Sequence, residues 1–205
     1  MRDIVLLAAA YLLGSVPFGL LIARVQGGVD LRRVGSGNIG ATNVLRAVGR
    51  GAAALTLLGD MGKGAAAVGL GRWLEVSPAV LALIALAAVA GHLFPMFGGF
   101  RGGKGVATTL GVVLAAMPAV GALLLLLWLL VAAAWRYSSL AALVASAAMP
   151  VLAWLLDGRP AMLGLSGTLF LVVLLRHREN IARLWKGTEG KIGQKVRASE
   201  SQTVK

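Results

Sequence analysis

Seven apolar runs dominate the chain, at about 4–23, 51–71, 78–97, 104–117, 119–135, 138–156 and 160–176. A lipid-spanning helix needs ~20 such residues, and inside hydrocarbon every backbone N–H and C=O must be satisfied within its own segment. The runs therefore predict an all-α, polytopic membrane helix bundle with about seven transmembrane helices. Composition agrees: 58% of the 205 residues are hydrophobic and 14% are charged, too few polar groups to clothe a soluble domain. The fourth run is short. The second is rich in small residues (Gly51, Gly59, Gly62, Gly64, Gly69) that suit close helix packing. It also carries Asp60 and Lys63, an i,i+3 pair that is expensive in a span unless buried against other helices. A structural ion pair is the first reading of these two, with a tethering role at a site left open. The first run has the apolar core of a signal peptide, but its length, Pro17 and Gly19 argue for a retained span. Trp128, Trp135, Trp154 and Trp185 fit interfacial belts.

Charge sets the orientation. With the N-terminus outside, the inner segments hold Arg24, Arg32, Arg33, Arg46 and Arg50, then Arg101 and Lys104, then Arg136. The C-terminal segment adds Arg176, Arg178, Arg183, Lys186, Lys191, Lys195, Arg197 and Lys205, which leaves only Arg2, Arg72 and Arg159 outside. That asymmetry predicts an outer N-terminus and a cytoplasmic C-terminus. Six spans would send the basic tail outside; five could keep the agreement by dropping two weaker segments. Residues 1–187 read as one integral membrane domain. Residues 188–205 read as a basic cytoplasmic tail, polar and without apolar periodicity, disordered or lying on anionic headgroups.

The net charge of +12 has a topological reading and a sharper one, attraction of anionic lipid or substrate. Nucleic acid is not an expected partner, because aromatic content is low and no soluble domain presents a groove. The chain has no cysteine and only eight acidic residues, none paired with a histidine at metal-ligand spacing. Neither a bound metal nor a cofactor is expected.

Three polar islands interrupt the apolar chain, and the charge argument puts all three at the cytoplasmic face. The first is Gly35-Ser36-Gly37-Asn38-Ile39-Gly40-Ala41-Thr42-Asn43, the second Gly98-Gly99-Phe100-Arg101-Gly102-Gly103-Lys104-Gly105, the third His177-Arg178-Glu179-Asn180. Gly35-x-Gly37-x-x-Gly40 matches a dinucleotide fingerprint, but no buried strand precedes it and membrane helices flank it. Gly98-x-x-x-x-Gly103-Lys104 is a near miss to a P-loop, with Gly105 where Ser or Thr should hold magnesium. The mechanism behind both motifs survives without the folds. Glycines let backbone N–H groups approach an anion, and a helix N-terminus adds about half a positive charge. One such loop is a turn; two on one face, each beside Arg or Lys, favour anion binding. His177 and Asn180, spaced i,i+3, would share a helix face. His92, in Gly91-His92-Leu93-Phe94-Pro95, reads as structural.

In order and spacing these motifs resemble those of the bacterial acyl-phosphate:glycerol-3-phosphate acyltransferases. The resemblance runs from Leu13-Gly14-Ser15-Val16-Pro17-Phe18-Gly19 through Asp30-Leu31-Arg32 to Asn43 and Arg46. It continues with Asp60-x-x-Lys63-Gly64, Gly91-His92 to Pro95, Gly102-Gly103-Lys104-Gly105-Val106-Ala107-Thr108, and His177 to Asn180. It implies a multi-pass inner-membrane enzyme of phospholipid synthesis with its active site facing the cytoplasm. The enzyme would move a fatty acyl group from acyl phosphate to the 1-hydroxyl of glycerol 3-phosphate, giving lysophosphatidic acid and inorganic phosphate. Acyl phosphate, glycerol 3-phosphate and membrane lipid are the implied partners, with the donor supplied by a soluble or peripheral enzyme. The implied substrate positions are Ser36, Arg46, Lys104, His177 and Asn180. The loops holding Gly37, Asn38, Gly102, Gly103 and Gly105 would bind phosphate.

The chemistry is coherent. Both substrates carry phosphate, so a basic pocket is their receptor. The donor is an activated mixed anhydride, so no acyl-enzyme is needed. The His-x-x-x-x-Asp signature of many other glycerolipid acyltransferases is missing: five residues after His92 is Phe97, and five after His177 is Ala182. Cations and loop amides are then expected to align the substrates, with His177 and Asn180 orienting glycerol 3-phosphate. The proton leaves through a donor phosphate oxygen or through His177, and both routes stay open at this point. An anion transporter is the main rival, disfavoured because the glycine islands sit at one face and not at the midplane. A metal-dependent lipid alcohol phosphotransferase would need clustered aspartates, and the four here are scattered.

Overall fold

The computed structural model describes residues 1–194, and among these every regular element is helical. Seven helices form the bundle: α1 (Arg2–Gly14), α4 (Arg50–Trp73), α5 (Pro78–Leu93), α6 (Val106–Ala116), α7 (Pro118–Trp135), α8 (Ser138–Leu156) and α9 (Pro160–Arg176). Three shorter ones, α2 (Phe18–Gly27), α3 (Ala41–Ala47) and α10 (Arg178–Trp185), gather with the polar loops. The helices close a ring in which α4 packs on α6, α6 on α7, α7 on α8, α8 on α9, α9 on α5 and α5 on α1 and α4. Ile84, Val112, Val113, Met149, Met162, Leu165 and Leu169 fill its core. Pro78, Pro118 and Pro160 each stand at a helix start, where the missing N–H costs no bond.

Each apolar run carries a helix of the ring, but two depart from expectation. The run 4–23 is not one continuous rod. Pro17 cannot continue the hydrogen-bond ladder, so α1 ends at Gly14 and α2 begins at Phe18. The run 104–117 yields only the eleven residues of α6, about 16 Å at the α-helical rise, short of the hydrocarbon thickness. Among the described residues four helical segments are long and apolar enough to cross a membrane, five if α9 and α10 count as one bent span. Their outer faces carry Leu126, Leu129, Leu130, Leu155 and Leu171, all exposed, as suits contact with lipid tails.

Helix backbones touch directly at two crossings, α1 with α5 and α4 with α6. A Cβ at Gly14 would collide with the Ala88 carbonyl, one at Gly91 with the Tyr11 carbonyl, and one at Gly111 with the Met61 carbonyl. Small residues are what permit this approach. Gly111→Ala is therefore expected to destabilise the fold by about 1–3 kcal/mol, the usual cost of overpacking. Gly164→Ala, in open space on α9, should be neutral or gain up to about 1 kcal/mol. Thermal unfolding of both variants in one detergent tests the contrast.

Candidate active site

The second glycine loop is built on the end of α5. After Phe94 the chain turns through Pro95 and a 3-10 turn, Met96–Gly98, and the Gly102 N–H then donates to the Leu93 carbonyl at 3.1 Å. Gly105 caps α6 at φ 83°, a left-handed conformation that favours glycine. Gly102 and Gly103 lie so close to His92 and Leu93 that a Cβ on either would collide. Lys104, in the loop ahead of α6, donates from Nζ to Asn180 Oδ1. Arg176, at the end of α9, donates to the Gly103 carbonyl at 2.9 Å and stacks 5.8 Å from the Phe94 ring centre.

The third island is a corner. α9 and α10 meet at 58°, with His177 at the break. Its Nδ1 lies 2.8 Å from the Val173 carbonyl. A carbonyl only accepts, so Nδ1 carries the hydrogen and Nε2 is the free acceptor of the neutral ring. Asn180 is 4% exposed, and its Nδ2 donates to Glu189 Oε1 at 2.6 Å. That bond fixes the amide so that Oδ1 faces Lys104.

The first island is held from within. Buried Asn43 donates to the Leu31 and Val34 carbonyls at 3.2 and 3.0 Å and accepts the Ser36 N–H at 3.2 Å. The loop joins the second island through Arg32, which donates to the Gly98 carbonyl and, at 3.0 Å, to the Arg101 carbonyl. Thr42 meets Ser138 at 3.0 Å. Ser36 and Gly37 are exposed and Asn38 half-buried. Among the described residues none of the three bonds to Lys104, His177 or Asn180. Arg46, on α3, turns inward and donates to the Gly190 carbonyl at 2.8 Å and the Lys191 carbonyl at 3.2 Å.

Residues 188–194, the start of the segment expected to be disordered or to lie on anionic headgroups, dock over the site; residues 195–205 lie outside the described residues. Glu189 is the reason. Its carboxylate accepts from Ser139 at 2.6 Å, Asn180 at 2.6 Å and Arg183 Nε at 2.7 Å. The Ile192 N–H bonds the Arg136 carbonyl at 2.7 Å. A cleft of about 560 Å³ opens beside it, lined by Arg136, Tyr137, Glu189, Lys191 and Gln194 among others. The structure thus joins Lys104 to Asn180 directly, and Asn180 to Arg46 by way of residues 189–191.

Burial shapes the charges. It pushes the Lys104 ammonium down to about 8, with Glu189 opposing the fall and Arg183 adding to it. Burial, then Lys104 and Arg176, take His177 down to about 4 against the pull of its bond to Val173. The ring is neutral at pH 7 and a weak base. Burial also lowers Arg46, opposed by Glu189. Glu189 lies below the usual carboxylate range, because the Ser139, Arg183 and Asn180 bonds outweigh its burial. A cluster of cations, loop amides and one committed carboxylate can hold phosphate and align groups around it.

Sequence reasoning missed Arg176, Arg183, Ser139 and Glu189, and gave Arg32 no role in the site. In the sequence Arg176 and Arg183 carry only a topological reading. The one available signal for Glu189 was an acid set between Gly187 and Gly190 in a basic stretch.

The model of the family described as glycerol-3-phosphate acyltransferase matches residues 4–187. The glycerol-3-phosphate acyltransferase of Rubrobacter xylanophilus is 53% identical over 94% of this chain and 96% of its own. That of Neisseria gonorrhoeae is 47% identical over 95% and 100%. Among solved structures, the integral membrane glycerol 3-phosphate acyltransferase PlsY (YgiH) in its glycerol 3-phosphate form is 41% identical. It superposes with a TM-score of 0.90 over 94% of this chain and 96% of that one. Its lysophosphatidic acid form gives 0.87 at 39% identity, over 93% and 95%.

Because Lys104 titrates near 8, its positive charge is present below that pH and lost above it. Affinity for inorganic phosphate should therefore weaken as pH rises through about 8. In Lys104→Arg it should hold beyond about pH 10, since guanidinium stays charged. Calorimetric titration of both proteins across that range checks the sign.

Proposed function

The chain belongs to the glycerol-3-phosphate acyltransferase family, and from that premise we propose that its acyl donor is acyl phosphate. The products are then lysophosphatidic acid and inorganic phosphate, and the reaction serves phospholipid synthesis. The observation that carries this reading is the convergence of Lys104, Asn180, Arg176 and the glycine loop at one end of an apolar bundle. Both substrates carry phosphate, and one brings a lipid chain that lies naturally in the bilayer beside that end.

In this mechanism Lys104, Arg46, Ser36 and the amides around Gly37, Asn38, Gly102, Gly103 and Gly105 hold the two phosphates. Arg46 exchanges the Gly190 and Lys191 carbonyls for a phosphate oxygen. Holding two anions side by side removes the repulsion and the entropy that separate them in water. Asn180 and His177 Nε2 accept hydrogen bonds from the glycerol hydroxyls. The 1-hydroxyl oxygen forms a bond to the acyl carbon, the bond from that carbon to the phosphate oxygen breaks, and the proton departs on the released phosphate. A ring held near 4 is a poor proton acceptor at neutral pH, which supports an orienting role for His177. Metal independence is part of the proposal: the cluster offers ammonium, guanidinium and amide groups, and its carboxylate, Glu189, is already bonded to Arg183, Ser139 and Asn180.

Seven spans in the bacterial inner membrane, with the N-terminus outside and the site facing the cytoplasm, complete the reading, supported by the distribution of Lys and Arg. A soluble or peripheral enzyme would deliver acyl phosphate at that face.

Detergent-purified protein given acyl phosphate and radiolabelled glycerol 3-phosphate is expected to form labelled lysophosphatidic acid with chelator present. No product from acyl phosphate would overturn the donor assignment. His177→Ala should raise KM for glycerol 3-phosphate more than it lowers kcat. Normal binding with turnover down by ~10³-fold or more would instead make His177 the base.

A further inference from the structure

One buried charged cluster has no part in the mechanism above. Asp60 on α4 lies 2.7 Å from Lys63 Nζ and 3.4 Å from His92 Nδ1 on α5. All three are at most 4% exposed. Lys63 also donates to the Val16 carbonyl at 2.8 Å and stands 5.9 Å from the Phe18 ring centre, so it ties α4 to the break between α1 and α2. Ion pairs this deep are costly to desolvate and are poor stabilisers by themselves.

What sets His92 apart is its second nitrogen. With Nδ1 turned to Asp60, the Nε2 edge lies against Gly103, where a Cβ would collide with it. The His92 backbone lies equally close to Gly102, and the next residue, Leu93, accepts the Gly102 N–H. Residues 102 and 103 therefore rest on His92, and the following residue is Lys104, whose Nζ meets Asn180.

We propose that Asp60 and His92 are positioning residues for acyl transfer: Asp60 fixes the His92 ring, and the ring's Nε2 edge sets the backbone of Gly102–Gly103 that presents Lys104. This rests on the reading of the glycine loop as a phosphate receptor. It goes beyond that reading by assigning the loop's shape to a buried carboxylate–imidazole contact between two other helices. Alignment of binding groups by residues behind them is commonly worth on the order of 10–100-fold when lost.

Two amides separate the ring's two edges. In His92→Asn the side-chain nitrogen takes the place of Nδ1, so the Asp60 pairing is kept while the loop loses its support. In His92→Gln the nitrogen takes the place of Nε2, so the loop support is kept. Glycerol 3-phosphate binding is measured by calorimetry on wild type and both variants, with thermal unfolding in parallel. The expected result is affinity about tenfold or more weaker for His92→Asn and intermediate for His92→Gln, which keeps the loop contact but loses the hold of Asp60, at similar unfolding temperatures. Equal affinities in all three proteins, or both variants weakened in step with a fall in unfolding temperature, would overturn the proposal and leave the cluster a folding element only. Wild type that binds glycerol 3-phosphate yet transfers nothing from acyl phosphate would sink the donor assignment alone, since the loop comparison is read in binding. Wild type that binds no glycerol 3-phosphate would overturn both.

Discussion

Direct backbone contact between helices is the constraint on which this molecule rests. α1 meets α5 through Gly14 and Gly91, and α4 meets α6 through Gly64 and Gly111. In lipid no hydrophobic force drives helices together, so van der Waals contact at close range must do it. The same closeness brings together the connections at one end of the ring. Arg32 reaches Gly98, Arg176 reaches Gly103 and Lys104 reaches Asn180 only because their parent helices stand near enough for single side chains to bridge. The catalytic reading thus depends on packing among residues that carry no chemistry.

The second determinant is how a crowded set of cations stays folded. Lys104, Arg46, Arg176 and Arg183 share one end of the bundle, partly removed from water, and like charges in low dielectric repel strongly. Glu189 offsets this. It bonds Arg183 and Asn180 directly and opposes the burial penalty on both Lys104 and Arg46. The carbonyls of Gly190 and Lys191 both accept from Nη2 of the Arg46 guanidinium, while its buried Nε has no partner among the described residues.

Much of the architecture was legible in the sequence because lipid imposes a coarse rule: each apolar run carries one helix of the ring. The failures are local. Pro17 was visible, but a run-length reading smooths over one residue that cannot donate to the ladder. Lys104 and Gly105 were counted into a span, whereas Gly105 takes a left-handed conformation and the helix starts at Val106. At the candidate site, glycine beside Arg or Lys was a readable sign, and it marked the loop that carries Lys104, whose Nζ meets Asn180. Arg176 was hidden because charges at membrane ends have a topological explanation that needs no partner. Glu189 was hidden because a short polar segment has no periodicity, and its three contacts belong to tertiary structure.

The neutral state of His177 links these strands. A histidine near a proposed transfer site invites the role of base, yet the ring is buried among Lys104 and Arg176, which disfavour a second positive charge. The cations proposed to attract two phosphates therefore make the imidazole a weaker proton acceptor. An enzyme committed to an activated anhydride donor loses little by this, because its leaving group is itself a phosphate that can carry the proton. Cation density and a weakly basic imidazole are then two features that fit the proposed donor, and they stand or fall together.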